Sequence, residues 1–125
     1  MTFNHSRVLL LASTLALAGL LHHGVVAVAA DAPDGKAIYT GKCVSCHKAN
    51  GAGLPGAFPA LAGNKNVTAA DPSGMVASIK NGKGSMPAWK GQLSNAQIAA
   101  VATYVRSSWG NKASAVTEKD VAAVK

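Results

Sequence analysis

The positions of the hydrophobic residues along this chain predict helices and no strands. Three stretches repeat their apolar side chains at helical spacing, and no run of alternating apolar and polar residues is long enough for a convincing strand. The repeating positions are Ile38 and Tyr39; Met75, Val76 and Ile79; and Ile98, Val101, Ala102 and Val105. The sequence therefore predicts an all-α fold.

Capping residues mark the ends of these helices. Side chains that accept hydrogen bonds from free backbone N–H groups favour helix starts, and glycine favours helix ends. The predicted starts are Asp34, Asp71-Pro72 and Ser94 with Gln97, and the predicted ends are Lys42, Asn81-Gly82 and Gly110. Thr117 to Asp120 predict the start of a short further helix, which we expect to be peripheral in a C-terminal tail of residues 111–125.

The first 30 residues have the pattern of a secretory signal peptide. A weakly basic start with Arg7 precedes an apolar run from Val8 to Leu21, and small residues then predict cleavage after Ala29 or Ala30. An uncleaved membrane anchor is the alternative. Because His22-His23-Gly24 interrupts the run, its uninterrupted part is short for a membrane span.

Cleavage would leave a single domain, residues 31–125, with its core at residues 34–110 and with no stable membrane insertion. A domain of this size buries a modest core and usually needs a disulfide or a cofactor to reinforce it. The chain has only two cysteines, with two residues between them. We therefore expect a cofactor to form a large part of the core.

The chemistry of the chain centres on Cys43-Val44-Ser45-Cys46-His47. Two thiols three positions apart, followed directly by a histidine, are the attachment pattern of c-type haem. Each thiol can add across a vinyl group of the porphyrin to form a thioether, and the histidine can then bind the iron as an axial ligand. We predict one covalently bound haem c, with Cys43 and Cys46 as its anchors and His47 as an iron ligand.

The composition argues against the other uses of a cysteine pair. A structural zinc site needs four ligands, and the three remaining histidines lie in the predicted signal peptide. A redox dithiol needs a strand–helix setting, which this sequence does not offer. A disulfide across two residues would be strained and would close almost no loop.

A loop rich in glycine, proline and asparagine follows the motif, at residues 49–66. Its larger apolar side chains are Leu54, Phe58 and Leu61. We expect these three to lie against the haem ring on the side of His47. A ligating histidine generally donates its other N–H to a carbonyl, and Pro55 and Pro59 are the two candidates, between which the sequence does not choose.

The second axial ligand decides what such a haem can do. With no further histidine, Met75 and Met86 are the soft donors. Met75 falls in a helical apolar pattern, where methionine usually fills the core, whereas Met86 lies in a loop next to a proline. We predict Met86 as the iron ligand, and we expect Trp89 to pack on the haem edge or to donate its N–H to a propionate.

Four segments of the sequence together resemble the class I bacterial cytochromes c. They are Cys43 to His47, Phe58 to Gly63, Met86 to Trp89 and Tyr104 to Gly110. The resemblance implies a small fold of three to five helices around one haem c, with His47 and Met86 as axial ligands. Such relatives accept electrons from periplasmic dehydrogenases or feed oxidases and nitrite reductases, and bacteria attach haem c outside the cytoplasm.

These observations predict a periplasmic one-electron carrier and not an enzyme. One alternative is a dedicated cytochrome subunit of a dehydrogenase or of a terminal oxidase or reductase complex. Another is a haem sensor or enzyme with an open sixth position on the iron. The predicted mature chain has no second histidine to act as a distal acid or base, which argues against peroxidase chemistry.

The net charge is +7, from 12 basic and five acidic residues. The lysines are scattered, and no dense basic run contains interleaved aromatic residues, so we expect no nucleic-acid binding. Basic residues can instead steer the protein to redox partners with acidic docking surfaces, and ordinary solubilising charge is the alternative. The candidate docking lysines are Lys42, Lys48, Lys80, Lys83 and Lys90.

Overall fold

The computed structural model describes residues 31–125, and the predicted signal peptide of residues 1–30 lies outside the described part. Six helices follow in the order α1 (Gly35–Lys42), α2 (Val44–His47), α3 (Lys65–Thr68), α4 (Ser73–Asn81), α5 (Asn95–Ser107) and α6 (Glu118–Ala123). Residues 31–125 form no β-strand, only two isolated bridges. The all-α prediction is confirmed. None of the helices in this part of the chain has the length and hydropathy of a membrane span.

The helix count exceeds the predicted three to five. The additional elements are single turns, because α2 and α3 contain four residues each. An apolar repeat of period 3.6 cannot be recognised over a single turn. Hydrophobic patterning therefore found the three longer helices and missed these two.

The predicted starts of α1 and α5 agree with the structure. Asp34 accepts hydrogen bonds from the first turn of α1, and Ser94 and Gln97 form the predicted capping box at α5. Asp71 accepts the amide of Ser73 at 2.9 Å, although Pro72 occupies the N-cap position and not the first helical position. These local hydrogen bonds explain why capping residues located the helix starts to within one residue.

The predicted end of α5 at Gly110 is wrong. The helix ends at Ser107, because Ser108 is extended, with φ −99° and ψ 161°, and Trp109 has a positive φ of 54°. This turn carries the Trp109 indole back to the segment after α2, where its N–H donates to the carbonyl of Ala49 at 3.0 Å. A long-range contact thus ends the helix before the glycine.

The core lies where α1 crosses α5. Tyr39 of α1 is 1% exposed, and its ring centroid lies 5.4 Å from that of Tyr104 on α5. Helix α4 adds Met75, Val76 and Ile79 to the same cluster. The apolar repeats that predicted the three longer helices therefore pack against one another.

Gly35 allows α1 and α5 to approach closely. A Cβ at Gly35 would clash with the carbonyl oxygen of Ala100, whereas a Cβ at Gly41 in the same helix would meet nothing within 4 Å. We expect Gly35→Ala to lower the free energy of unfolding by about 1–3 kcal/mol, because backbone atoms must move apart. Gly41→Ala should raise it by up to about 1 kcal/mol, since alanine favours helix. Denaturant unfolding of both holoproteins measures the difference, and equal stabilities would contradict the close approach.

The C-terminal tail is part of the core, and the prediction of a peripheral tail is wrong. Val121 of α6 is 0% exposed and Val116 is 6% exposed. The Thr103 hydroxyl of α5 accepts the N–H of Val116 at 2.9 Å and donates to its carbonyl at 3.2 Å. A helix of six residues has too few apolar positions to indicate which side it buries, so the sequence pattern alone does not indicate this packing.

Arg106 of α5 is fully buried. Its guanidinium donates to the carbonyls of Val67, Ala69 and Ser114 and to the Ser114 hydroxyl. These bonds connect the end of α3 to α5 and to the tail. The sequence offered no sign of this role, because arginine is usually exposed and its partners here are distant backbone carbonyls.

Candidate haem site

A cavity of about 910 Å³ opens between the end of α1, the loop after α2 and the segment from α4 to Leu93. Its apolar lining includes Phe58, Leu61, Val67, Met75, Ile79, Val101 and Val105. The predicted site residues Cys43, Cys46, His47, Pro59, Met86 and Trp89 line the same cavity. An apolar cavity of this volume with a few converging polar groups is typical of a cofactor site.

Cys43 and Cys46 lie at the corner between α1 and α2. Helix α1 ends at Lys42, and the His47 N–H donates to the Cys43 carbonyl at 2.9 Å to close the single turn of α2. The turn brings both cysteines and the histidine to one wall of the cavity. Burial raises the pKa of Cys43 to about 11, so this position suits an uncharged sulfur, as in a thioether.

His47 is 8% exposed, and its Nδ1 lies 3.0 Å from the carbonyl oxygen of Pro59. Donation from Nδ1–H to a carbonyl fixes the tautomer and leaves Nε2 to bind a metal. The Gly53 N–H donates to the His47 carbonyl at 3.0 Å and holds the backbone of the same residue. The ring is therefore oriented by the loop that follows it.

Only some apolar residues of the loop after α2 face the cavity. Phe58 and Leu61 line the cavity, as expected. Leu54 is 45% exposed and lies outside the cavity lining, so the expectation that it faces the ring is wrong. The reason is a tight turn closed by hydrogen bonds between Leu54 and Phe58, which carries Pro55 into a separate pocket of about 300 Å³.

Two aromatic side chains hold the backbone immediately after His47. The Tyr39 hydroxyl donates to the Lys48 carbonyl at 2.7 Å, and the Trp109 indole donates to Ala49. The two rings contact each other, with centroids 5.0 Å apart. Burial raises the pKa of Tyr39 to about 12, so its phenol keeps the donated proton at physiological pH. This support was missed because its members are distant in the sequence.

Met86 lies in a short loop that is tied at both ends. It exchanges two backbone hydrogen bonds with Lys83, at 3.0 and 3.2 Å, and the Trp89 N–H donates to the Ile79 carbonyl at 3.1 Å. Gly82 has φ 76°, and a Cβ there would contact the Met86 carbonyl oxygen, so the turn requires glycine. Met75 also lines the cavity but is 5% exposed within α4.

The mouth of the cavity is positively charged. Lys42 and Lys83 contribute to its lining, and no acidic side chain of residues 31–125 does so. The Lys42 Nζ lies 5.3 Å from the centroid of the Trp89 ring, within the range of a cation–π contact. Donation from the Trp89 indole to a propionate stays a prediction.

Lys80 does not belong with the exposed lysines. It is half-buried, and its ammonium donates to the backbone carbonyls of Val121 in α6 and of Val124 directly after it. Lys48 is exposed and donates to the Ser45 carbonyl at 3.4 Å, and Lys90 is exposed and donates to the side chain of Asn81 at 3.3 Å. The candidate docking lysines therefore reduce to Lys42, Lys48, Lys83 and Lys90.

The donor set fits a haem and not a structural metal ion. Within residues 31–125, no group of three or more His, Cys, Asp or Glu side chains is placed to hold a metal. The cavity instead offers two thiols, one oriented imidazole, a thioether and a broad apolar lining. These are the groups that attach, ligate and bury haem c.

The sequence and the fold match known proteins with the same motif. Residues 30–105 match the family described as cytochrome c oxidase, cbb3-type, subunit III. The chain is 41% identical to cytochrome c6 of Synechocystis sp. over 97 residues, which cover 71% of this chain and 75% of that protein. The crystal structure of cytochrome c6 from the diatom Phaeodactylum tricornutum superposes with a TM-score of 0.50 at 29% identity, over 60% of this chain and 90% of that one.

A second kind of relative is a subunit of a larger protein. The chain is 38% identical over 95 residues to the cytochrome c subunit of the quinone alcohol dehydrogenase of Gluconacetobacter polyoxogenes. The match covers 66% of this chain but only 20% of that subunit. The chain thus spans about a fifth of the length of the dehydrogenase subunits that it matches.

Fold, motif and matches together define a class I c-type cytochrome with one covalently bound haem c. The chain belongs to the family of the cbb3-type cytochrome c oxidase subunit III.

Proposed function

We propose that the chain is a periplasmic one-electron carrier. Its haem is attached through Cys43 and Cys46 and ligated by His47 and Met86. The observation that carries the proposal is that these four side chains line one apolar cavity. The bound haem supplies a ferric–ferrous couple. The proposed periplasmic location of the protein rests on the signal peptide predicted in residues 1–30.

The chain's own residues favour electron transfer over catalysis. Pro59 holds the imidazole of His47 in one orientation through the 3.0 Å contact to Nδ1. A thioether from Met86 would occupy the remaining axial position and leave no place for a substrate on the iron. The apolar lining would keep water from a bound haem, and no second histidine lies in residues 31–125 to act as an acid or base. We infer that the chain alone is not an enzyme.

A cytochrome subunit or domain within a dehydrogenase complex is the second candidate. The 38% identity to the cytochrome c subunit of a quinone alcohol dehydrogenase favours it. In that case the chemistry of the haem site is unchanged, but one partner stays bound. Co-purification of a dehydrogenase through a mild salt wash would support this candidate over the freely diffusing carrier.

The charged side chains at the cavity favour partners with acidic docking sites. All five acidic residues of residues 31–125 lie at or before helix N-termini: Asp31 and Asp34 at α1, Asp71 at α4, and Glu118 and Asp120 at α6. Hydrogen bonds from Ser73 and Thr117 hold the pKa values of Asp71 and Asp120 below their ordinary values. Because Lys42 and Lys83 line the cavity and none of these acids does, the surface field can orient an acidic partner towards the cavity.

Oxidation of the ferrous protein by a small redox ion tests both the one-electron carrier function and the role of the lysines at the cavity. We expect a single one-electron oxidation by ferricyanide, an anion, at a rate that falls as salt is added. The double variant Lys42→Glu/Lys83→Glu should react about tenfold more slowly at low salt. Stopped-flow absorbance of the haem measures these rates.

Lys65→Glu/Lys112→Glu is the matched control, because it changes the net charge equally at exposed lysines that do not line the cavity. Its rate should stay near that of the wild type. Equal slowing in both variants would contradict electron entry at the cavity mouth. A reaction that does not follow one-electron stoichiometry would contradict the carrier function itself.

A further inference from the structure

We propose that Lys80 is a positioning residue that connects helix α6 to the loop carrying Met86. The inference rests on the proposed ligation by Met86. Helix α6 lies beyond residue 105, where the match to the family ends. The connection would therefore be made by a segment outside the matched region. It would set the rate at which Met86 leaves the iron.

The first part of the connection joins Lys80 to the end of α6. Its Nζ donates to the Val121 carbonyl at 3.0 Å and to the Val124 carbonyl. Carbonyls at the C-terminal end of a helix carry partial negative charge, which favours a cation there. The Val121 carbonyl also accepts the N–H of Val124 at 3.3 Å, so the lysine ammonium adds a charged donor to it. The neighbouring Asn81 amide donates to the Lys125 carbonyl at 2.9 Å.

Helix α6 is itself fixed and can serve as an anchor. Val121 is fully buried in the core, and Thr117 and Asp120 form a capping box at the start of the helix. Val116, just before the helix, is tied to α5 through Thr103. Of the two residues that receive the Lys80 ammonium, Val121 is therefore part of the core, and Val124 is half-buried against it.

The second part of the connection joins the same end of α4 to the Met86 loop. The Lys80 carbonyl accepts the N–H of Lys90 at 3.1 Å, and the preceding Ile79 carbonyl accepts that of Trp89. The loop thus leaves α4 at Gly82 and returns to the last turn of the same helix. Movement of this turn relative to α6 would move both ends of the loop and with them the Met86 thioether.

The rate at which an external ligand replaces Met86 tests the inference. We expect imidazole to bind the ferric Lys80→Met holoprotein about tenfold faster than the wild type, because two charge-assisted hydrogen bonds that hold the end of α4, to which the loop returns, are lost. Lys80→Arg, which keeps a cationic donor, should restore the slow rate. Lys119→Met is the control, because it removes the same charge at an exposed position of α6.

The readouts separate this role from general stability. Unfolding in guanidinium chloride is measured on the same samples, and a purely structural Lys80 would lower the free energy of unfolding while leaving imidazole binding without denaturant unchanged. That result, or equal acceleration by Lys119→Met, would overturn the inference. A wild-type spectrum that lacks an iron–thioether band would overturn the proposed ligation itself. Because this spectrum is recorded before any variant is compared, the two failures can be distinguished.

Discussion

Met86→Ala is expected to convert the iron from a closed to an open site. Without the thioether, the ferric protein should lose its weak far-red iron–thioether band and become high-spin or water-ligated, and the ferrous protein should bind carbon monoxide. The reason is that the other methionine of the cavity, Met75, is packed within α4 at 5% exposure, so we do not expect it to replace the lost ligand. Optical titration with carbon monoxide measures the change.

Met75→Leu is the control for this prediction. Leucine is similar in volume, so the core should lose less than about 1.5 kcal/mol of unfolding free energy, and the far-red band should persist. If the band survived in Met86→Ala and vanished in Met75→Leu, the ligand assignment would be reversed. If both variants kept it, neither methionine would be the ligand.

The chain made without haem is expected to lack a cooperative fold. The cavity of about 910 Å³ is bordered by core residues of α4 and α5. Without haem, the apolar side chains that line this space would face water or an unfilled gap, and either outcome removes burial that stabilises α4 and α5. A typical domain is stable by only about 5–15 kcal/mol, so the loss of this burial should be enough to remove a cooperative fold. Thermal unfolding followed by circular dichroism should show a shallow, non-cooperative change.

The haem-free double variant Cys43→Ala/Cys46→Ala controls for disulfide formation between the two thiols. It should melt as the haem-free wild type does, whereas the holoprotein should melt in one sharp transition. A cooperative transition in both haem-free proteins would show that the polypeptide supports its own core. The proposed part of haem in the folding of the chain would then be contradicted.

Local signals predicted much of the fold. Asp34 and Ser94 accept hydrogen bonds from residues two or three positions later, so their role as caps depends on nearby sequence alone. The single turn that places Cys43, Cys46 and His47 on one wall of the cavity is closed by an equally local hydrogen bond, although it is too short for an apolar repeat to predict it. Hydrogen bonds between residues a few positions apart are therefore the part of the fold that the local sequence can predict.

The remaining features depend on residues that are far apart along the chain. The choice of Pro59 over Pro55 depends on a tight turn at Leu54, and the end of α5 depends on a hydrogen bond from Trp109 to Ala49. The roles of Arg106 and Lys80 have the same origin, because both donate to backbone carbonyls of other elements. A backbone carbonyl is present at every position, so residue type does not reveal which one is the acceptor.

The optical spectrum of the wild-type protein in its ferric and ferrous states, with and without carbon monoxide, tests the central claim most directly. Ligation by His47 and Met86 predicts a low-spin ferric spectrum with a weak far-red iron–thioether band, and a ferrous spectrum that carbon monoxide does not change. A high-spin ferric spectrum, or ready binding of carbon monoxide, would contradict the account and favour a sensor or enzyme with an open iron site.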